Sequence, residues 1–324
     1  MTILRDIILL IIGFAVLVQS AKLFVNASVD IAKRLRIPNM VIGLTIVAMG
    51  TSAPEAIISV SAAISGSSDL AIANVIGSNI FNLLFIVGFC ALIYPISVKL
   101  KAISRDYWVS VGATVLLLIM VLFLGDAIPR WGGGIMLAGF FVYMVVVVRK
   151  AVKARDGEGE TGFTAEDAVV GDVNKMPKPL WKCICLAILG AALIVGGGQL
   201  IVTSATSLAL AIGITQRIVG LTIVAMGTSL PELVTTLIAC RKGEGEFALG
   251  FIIGSSIFNI MFVLGLAGLI APLAIGGSVR YDMFVLTAGT LAFFLFAYSS
   301  KRVVRLEGLM MVLMYLGYMV WVVL

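Results

Sequence analysis

Residues 43–55 read GLTIVAMGTSAPE, and residues 220–232 read GLTIVAMGTSLPE. Twelve of the thirteen positions match at a constant offset of 177, and the register continues. It sets Gly77-Ser78 and Ile80-Phe81-Asn82 against Gly254-Ser255 and Ile257-Phe258-Asn259. A repeat at half-chain spacing is read before any other pattern, because it says that the fold is assembled from two copies of one unit. Each copy places Gly, Thr, Ser, Pro and Glu in the middle of an apolar run. Glu55 is the only charge between Arg36 and Asp69, and Glu232 the only one between Arg217 and Arg241. A carboxylate at the bilayer centre costs roughly 2.5–3.5 kcal/mol on insertion scales, so one that stays there marks a cation pathway or a proton site. Pro54 and Pro231 donate no N–H and clash with the carbonyl four residues back, at Gly50 and Gly227. The helix is therefore expected to kink or break beside each glutamate, freeing carbonyls around residues 48–50 and 225–227. Irregular backbone at that depth is tolerated only where protein packs it or water lines it. Those carbonyls, the hydroxyls of Thr51, Ser52, Thr228 and Ser229, and the carboxylates of Glu55 and Glu232 compose an all-oxygen site. Calcium and sodium, as hard cations, prefer that chemistry.

The composition around this motif agrees. Of 324 residues, 61% are hydrophobic and 12% charged, and mean hydropathy is +1.15. Soluble globular domains and disordered chains are both excluded, which leaves a polytopic helical membrane protein. A net charge of +6 would suggest nucleic acid in a soluble protein; here the basic residues sit in short loops and act as topology determinants. The chain has no His, so the commonest transition-metal ligand and the usual general base are missing. Cys90, Cys183, Cys185 and Cys240 are scattered and read as packing thiols rather than a metal site or disulfide.

Apolar segments long enough to span fall near 4–26, 38–64, 70–94, 106–125, 131–150, 182–205, 217–240, 247–271, 282–299 and 306–324. The first could pass for a signal peptide, but it is repeated inside the chain at the same offset and so reads as structure. The expected fold is an all-α polytopic membrane protein of ten transmembrane helices. Five per copy is an odd number, so the two copies must be inverted repeats, with helices 2 and 7 broken. The first half covers 1–152 and the second 181–324, joined by a linker at 153–180. Alternating the loops between two sides assigns four basic residues to one side and eighteen to the other, leaving Lys22 inside the first segment. The rich side is cytoplasmic by the positive-inside rule, which puts the linker in the cytoplasm and both termini outside. The linker is rich in acids and glycine without an EF-hand spacing, and reads as a solvated tether.

Segments 3 and 8 complete the site. Ser78 and Asn82 are four apart, as are Ser255 and Asn259, so each pair shares a helix face. Asn79 adds a polar group that the second copy replaces with Ser256. Ser and Asn in membrane helices also bond simply to neighbouring helices. The motif has a plainer explanation too: Ser52 with Glu55, and Ser229 with Glu232, fit the spacing of a capping box. Gly77, Gly254, Gly88 and Gly265 are expected to allow close helix contact.

A doubled GTSxPE followed by GSxIFN resembles the alpha-repeats of the cation/calcium exchanger superfamily, most closely its prokaryotic sodium/calcium branch. The resemblance spans nearly the whole chain. It implies one calcium site flanked by sodium sites, with ligands at the Ala48 carbonyl, Thr51, Ser52, Glu55, Ser78, Asn82, the Ala225 carbonyl, Thr228, Ser229, Glu232, Ser255 and Asn259. The GNxxE signature of the proton/calcium branch is absent, and only the short 153–180 linker stands where animal exchangers carry a calcium-sensing loop. Many relatives have Asp at the position of Asn259, which leaves two core carboxylates here.

The expected function is potassium-independent sodium/calcium antiport by alternating access, in the cell membrane of a prokaryote. Its partners are the two ions and the bilayer, with no cofactor, nucleic acid or obligate protein partner. Proton-coupled cation antiport on the same scaffold, or a cation channel, are the alternatives. An intramembrane serine hydrolase lacks a base beside Ser52 or Ser229.

Overall fold

The structure, a computed structural model, describes residues 2–35, 39–97, 100–155, 179–213, 225–276, 278–300 and 302–323. Helix α1 covers Thr2–Leu35, running past the expected end at 26. The second span is composite: α2 (Asn39–Ile42), a π-helical turn (Gly43–Val47), α3 (Ala48–Thr51) and α4 (Ala53–Ile64). The third joins α5 (Ser68–Ile80), a π turn (Phe81–Ile86) and α6 (Val87–Ile93). Helices α7 (Leu100–Phe123) and α8 (Arg130–Arg155) end the first half. The second half contains α9 (Leu180–Ala211), α10 (Ala225–Thr228) and α11 (Leu230–Arg241), followed by α12 (Gly245–Ile257), a π turn (Phe258–Val263) and α13 (Leu264–Ile270). It closes with α14 (Val279–Ser300) and α15 (Arg305–Val323).

Among the described residues, eight helices are long and apolar enough to cross a membrane, or nine with the bent pair at 43–64. Most of the 153–180 linker lies outside the described residues, as do Arg217 and residues 220–224 of the second motif copy. The chain is not purely helical. Strands β1 (Ile96–Ser97) and β4 (Arg302–Val303) pair antiparallel, and so do β2 (Ala127–Ile128) and β3 (Leu273–Ala274).

The offset of 177 recurs in the packing. Helix α6 packs on α15 and α13 on α8, while α5 packs on α14 and α12 on α7. The two later π turns stand at the offset, each carrying a stacked pair, Phe81 with Phe85 and Phe258 with Phe262. Glycine sets the approach of the helices. A Cβ on Gly88 would lie 2.8 Å from the Gly308 carbonyl, and one on its counterpart Gly265 2.8 Å from the Leu137 nitrogen. Gly254 is tighter still, 2.4 Å from the Leu44 carbonyl. Among the described residues nothing lies within 4 Å of the Cβ position of Gly77; Leu221, the repeat counterpart of the Leu44 that meets Gly254, lies outside them.

Burial separates a centre from a periphery. In the apolar 18-residue stretch of each span, 94% of residues are buried for Gly245–Ile270 and 72% for Ser68–Ile93, against 28% in α1 and 33% in α9. The α5–α6 and α12–α13 spans form the central wall, and α1 and α9 pack on each other as an outer pair.

Candidate cation site

The site is built where α3 ends and α4 begins. Ser52 has φ −81° and ψ 10°, outside the helical region, and the axis bends there by 57°. Pro54 falls in the first turn of α4, where a missing N–H breaks no helical bond. Glu55 lies in that same turn, at the end where the helix dipole favours a carboxylate. Ser229 repeats the arrangement with φ −93° and ψ 6°, followed by Pro231 and Glu232 in the first turn of α11. Both breaks fall beside the glutamates, as the prolines require.

The capping box does not form, since neither serine side chain caps the helix that follows it. The hydroxyls cross between the copies instead. Ser52 Oγ donates to Glu232 Oε1 at 3.0 Å, and Ser229 Oγ donates to Glu55 Oε1 at 3.1 Å. Thr51 Oγ1 donates to the Val47 carbonyl at 3.2 Å, and Thr51 and Thr228 stand close to Glu232 and Glu55 respectively. The Ala48 carbonyl is not freed: it accepts the Ser52 N–H at 3.1 Å and has the Thr51 hydroxyl at 3.5 Å. Ala225 begins α10, and the Met226 carbonyl accepts the Ser229 N–H at 3.1 Å.

Helix α3 packs against α12, and α10 against α5. In the same crossed manner, α4 meets the π turn at Phe258–Val263, and α11 the one at Phe81–Ile86. Those contacts bring Ser78, Asn82, Ser255 and Asn259 to the broken helices. Thr51, Ser52, Glu55, Asn82, Ser229, Glu232, Ser255 and Asn259 are wholly buried, Ser78 nearly so, and Thr228 half-buried.

The accounting of polar atoms is incomplete, and most of the orphans are oxygens. Glu55 Oε2, Glu232 Oε2, Ser255 Oγ and both amide atoms of Asn82 and Asn259 are buried with no protein partner. Each such orphan costs about 1–3 kcal/mol, more when charged. Among the described residues no Lys or Arg is buried to balance the two glutamates. A set of unpartnered oxygens carrying two negative charges fits a dehydrated hard cation.

One polar residue escaped the sequence reading. Thr235 is fully buried with an unpartnered hydroxyl, and its repeat counterpart is Ile58, so no doubled signal exists. Asn79, also without a partner, lies away from the glutamates. It lines a cavity of ≈ 10 Å³ with Ser256, Ser110, Thr114 and Thr290. Asn79 and Ser256 are the polar pair that the sequence sets at the offset.

Broken helices that face two buried carboxylates inside a bundle of membrane-length helices define an ion carrier. The sodium/calcium exchanger protein family matches residues 6–149 and 182–324, and the chain belongs to that family. It is similar to CaxA of Alkalimonas amylolytica, 39% identical with 96% of each chain covered. The sodium/calcium exchanger MaX1 of Methanosarcina acetivorans is 32% identical, with 97% of each chain covered. The solved structure of the sodium-calcium exchanger NCX_Mj, soaked with 10 mM Na+ and 10 mM Sr2+, superposes with a TM-score of 0.81. It is 28% identical, with 97% of each chain covered. The chain is thus an integral membrane protein and a cation/calcium antiporter, not an enzyme.

Proposed function

We propose that this protein exchanges sodium for calcium across a prokaryotic cell membrane by alternating access, without potassium. The observation that carries the proposal is the crossed pair of serine–glutamate bonds, with the remaining carboxylate oxygens buried and unpartnered. The ligands are the Ala48 and Ala225 carbonyls with Thr51, Ser52, Glu55, Ser78, Asn82, Thr228, Ser229, Glu232, Ser255 and Asn259. Empty, this site holds two negative charges and is costly to seal from water. One calcium ion, or several sodium ions, neutralises it and permits closure. Exchange is then favoured and leak is not. Asn259 contributes an amide oxygen without charge, so no further monovalent ion is required for balance.

The architecture that serves this mechanism is ten spans in two inverted five-helix repeats, 1–152 and 181–324, with the 153–180 linker cytoplasmic and both termini outside. Contacts that recur at an offset of 177 support it. So do the strand pairs: β1 and β4 lie in loops assigned to the cytoplasm, and β2 and β3 in loops assigned to the other side.

Calcium-45 uptake into proteoliposomes, with sodium, potassium or proton gradients imposed separately, tests the proposal. An outward sodium gradient alone drives uptake if it is right. Uptake driven only by protons, or only with potassium present, overturns it.

A further inference from the structure

Lys22 is a charge inside a membrane-length helix that the ion site does not use. It is spaced four residues from Asn26, which is four from Asp30, so the three share one face of α1. The structure places this stripe beside the turn between α11 and α12. Lys242 in that turn donates from Nζ to Asn26 Oδ1, with Lys22, Asp30 and Glu244 close enough to act on its charge. Partial desolvation holds the Lys242 ammonium below the usual lysine range. Lys22 adds to that shift, and Glu244 and Asp30 oppose it.

The two helices joined here differ in how firmly the fold holds them. α1 is one of the less buried spans, whereas α12 opens the most buried. Against the broken helices the outer pair presents apolar contacts, Phe24 on Gly50, Gly198 on Pro231 and Val202 on Gly227. Asp6 and Ser207, bonded at 2.5 Å, fasten α1 only to α9. Apolar contacts set register less strictly than hydrogen bonds do, and a polar tie at one end adds such a constraint.

We infer that Lys242 is a positioning residue for exchange. It fastens the inner half of α1, through Asn26, Asp30 and Lys22, to the turn between α11 and α12, and so holds the cytoplasmic approach to Glu55 and Glu232 closed. This rests on the alternating-access reading, which sets the sidedness. Loosening the tie shifts the population toward the state open to the cytoplasm, and a population shift moves affinity at the two faces in opposite directions.

The test uses right-side-out and inside-out vesicles and reads half-saturating calcium at each face by calcium-45 flux. For Lys242→Gln and Asn26→Ala, the cytoplasmic value should fall and the outer value rise, each by about two- to five-fold, the range an exposed charged contact supports. Lys242→Arg keeps a donor and should stay near wild type. Unchanged values at both faces, shifts in the same direction, or an Arg variant that behaves like Gln overturn the inference. Failure of the underlying reading is separate: wild-type vesicles would then show no sodium-driven uptake at all.

Discussion

Replacing Ser52 by Ala removes the hydroxyl that donates to Glu232 Oε1 at 3.0 Å, leaving a buried carboxylate one donor short. A hydrogen bond to a charged group contributes about 1.5–3 kcal/mol and a neutral one about 0.5–1.5 kcal/mol. Glu232→Gln turns the first kind into the second. The coupling between Ser52→Ala and Glu232→Gln should therefore be about 1 kcal/mol. Ser229 and Glu55, bonded at 3.1 Å, should couple equally. Ser52 and Glu55 lie in one motif copy but form no cap, so their cycle should be additive to within about 0.5 kcal/mol. The assay is reversible unfolding in mixed micelles, with chelator present and at alkaline pH, on the four proteins of each cycle. A larger coupling of Ser52 to Glu55 than to Glu232 would refute the crossed geometry and restore the capping box.

Glu55→Gln and Glu232→Gln should each cut exchange at least a hundredfold, because breaking a buried charge set costs about 3–5 kcal/mol. Both proteins should keep the elution profile of the folded wild type on size exclusion, and normal flux in either would remove the site from this position. Asn259→Asp adds a third carboxylate beside Glu55 and Glu232, so calcium flux should become dependent on pH or potassium where wild type is flat in potassium. Gly254→Ala should cost about 1–3 kcal/mol of stability, since its Cβ would meet the Leu44 carbonyl at 2.4 Å. The unfolding assay of the serine–glutamate cycles reads that loss.

Much of the site was legible because the chain states it twice. The lone glutamates, the prolines beside them and the Ser–Asn pairs of segments 3 and 8 all recur at 177, and the glutamates and Ser–Asn pairs are buried where the broken helices meet the central wall. What was not legible is what depends on contacts between the copies. A capping spacing in Ser52–Glu55 is a local fact, whereas the choice of Glu232 as partner is a tertiary one. That Gly254 packs on the Leu44 backbone is likewise a tertiary fact, which the motif around it does not state. The π turns at Phe81–Ile86 and Phe258–Val263 have no sequence signature that separates them from ordinary helix. Lys22 registered only as a residue left over from the loop count, since its neighbour Lys242 is 220 positions away.

The central claim is that one divalent cation sits between Glu55 and Glu232. Crystals of this protein soaked with strontium, measured at the strontium absorption edge, test it most directly. The account predicts an anomalous peak within about 2.3–2.7 Å of carboxylate oxygens from both glutamates, the range for calcium-like ions. In Glu232→Gln crystals under the same soak, the peak should be weaker or absent. A strong peak elsewhere with none between Glu55 and Glu232, or one undiminished in the variant, would contradict it.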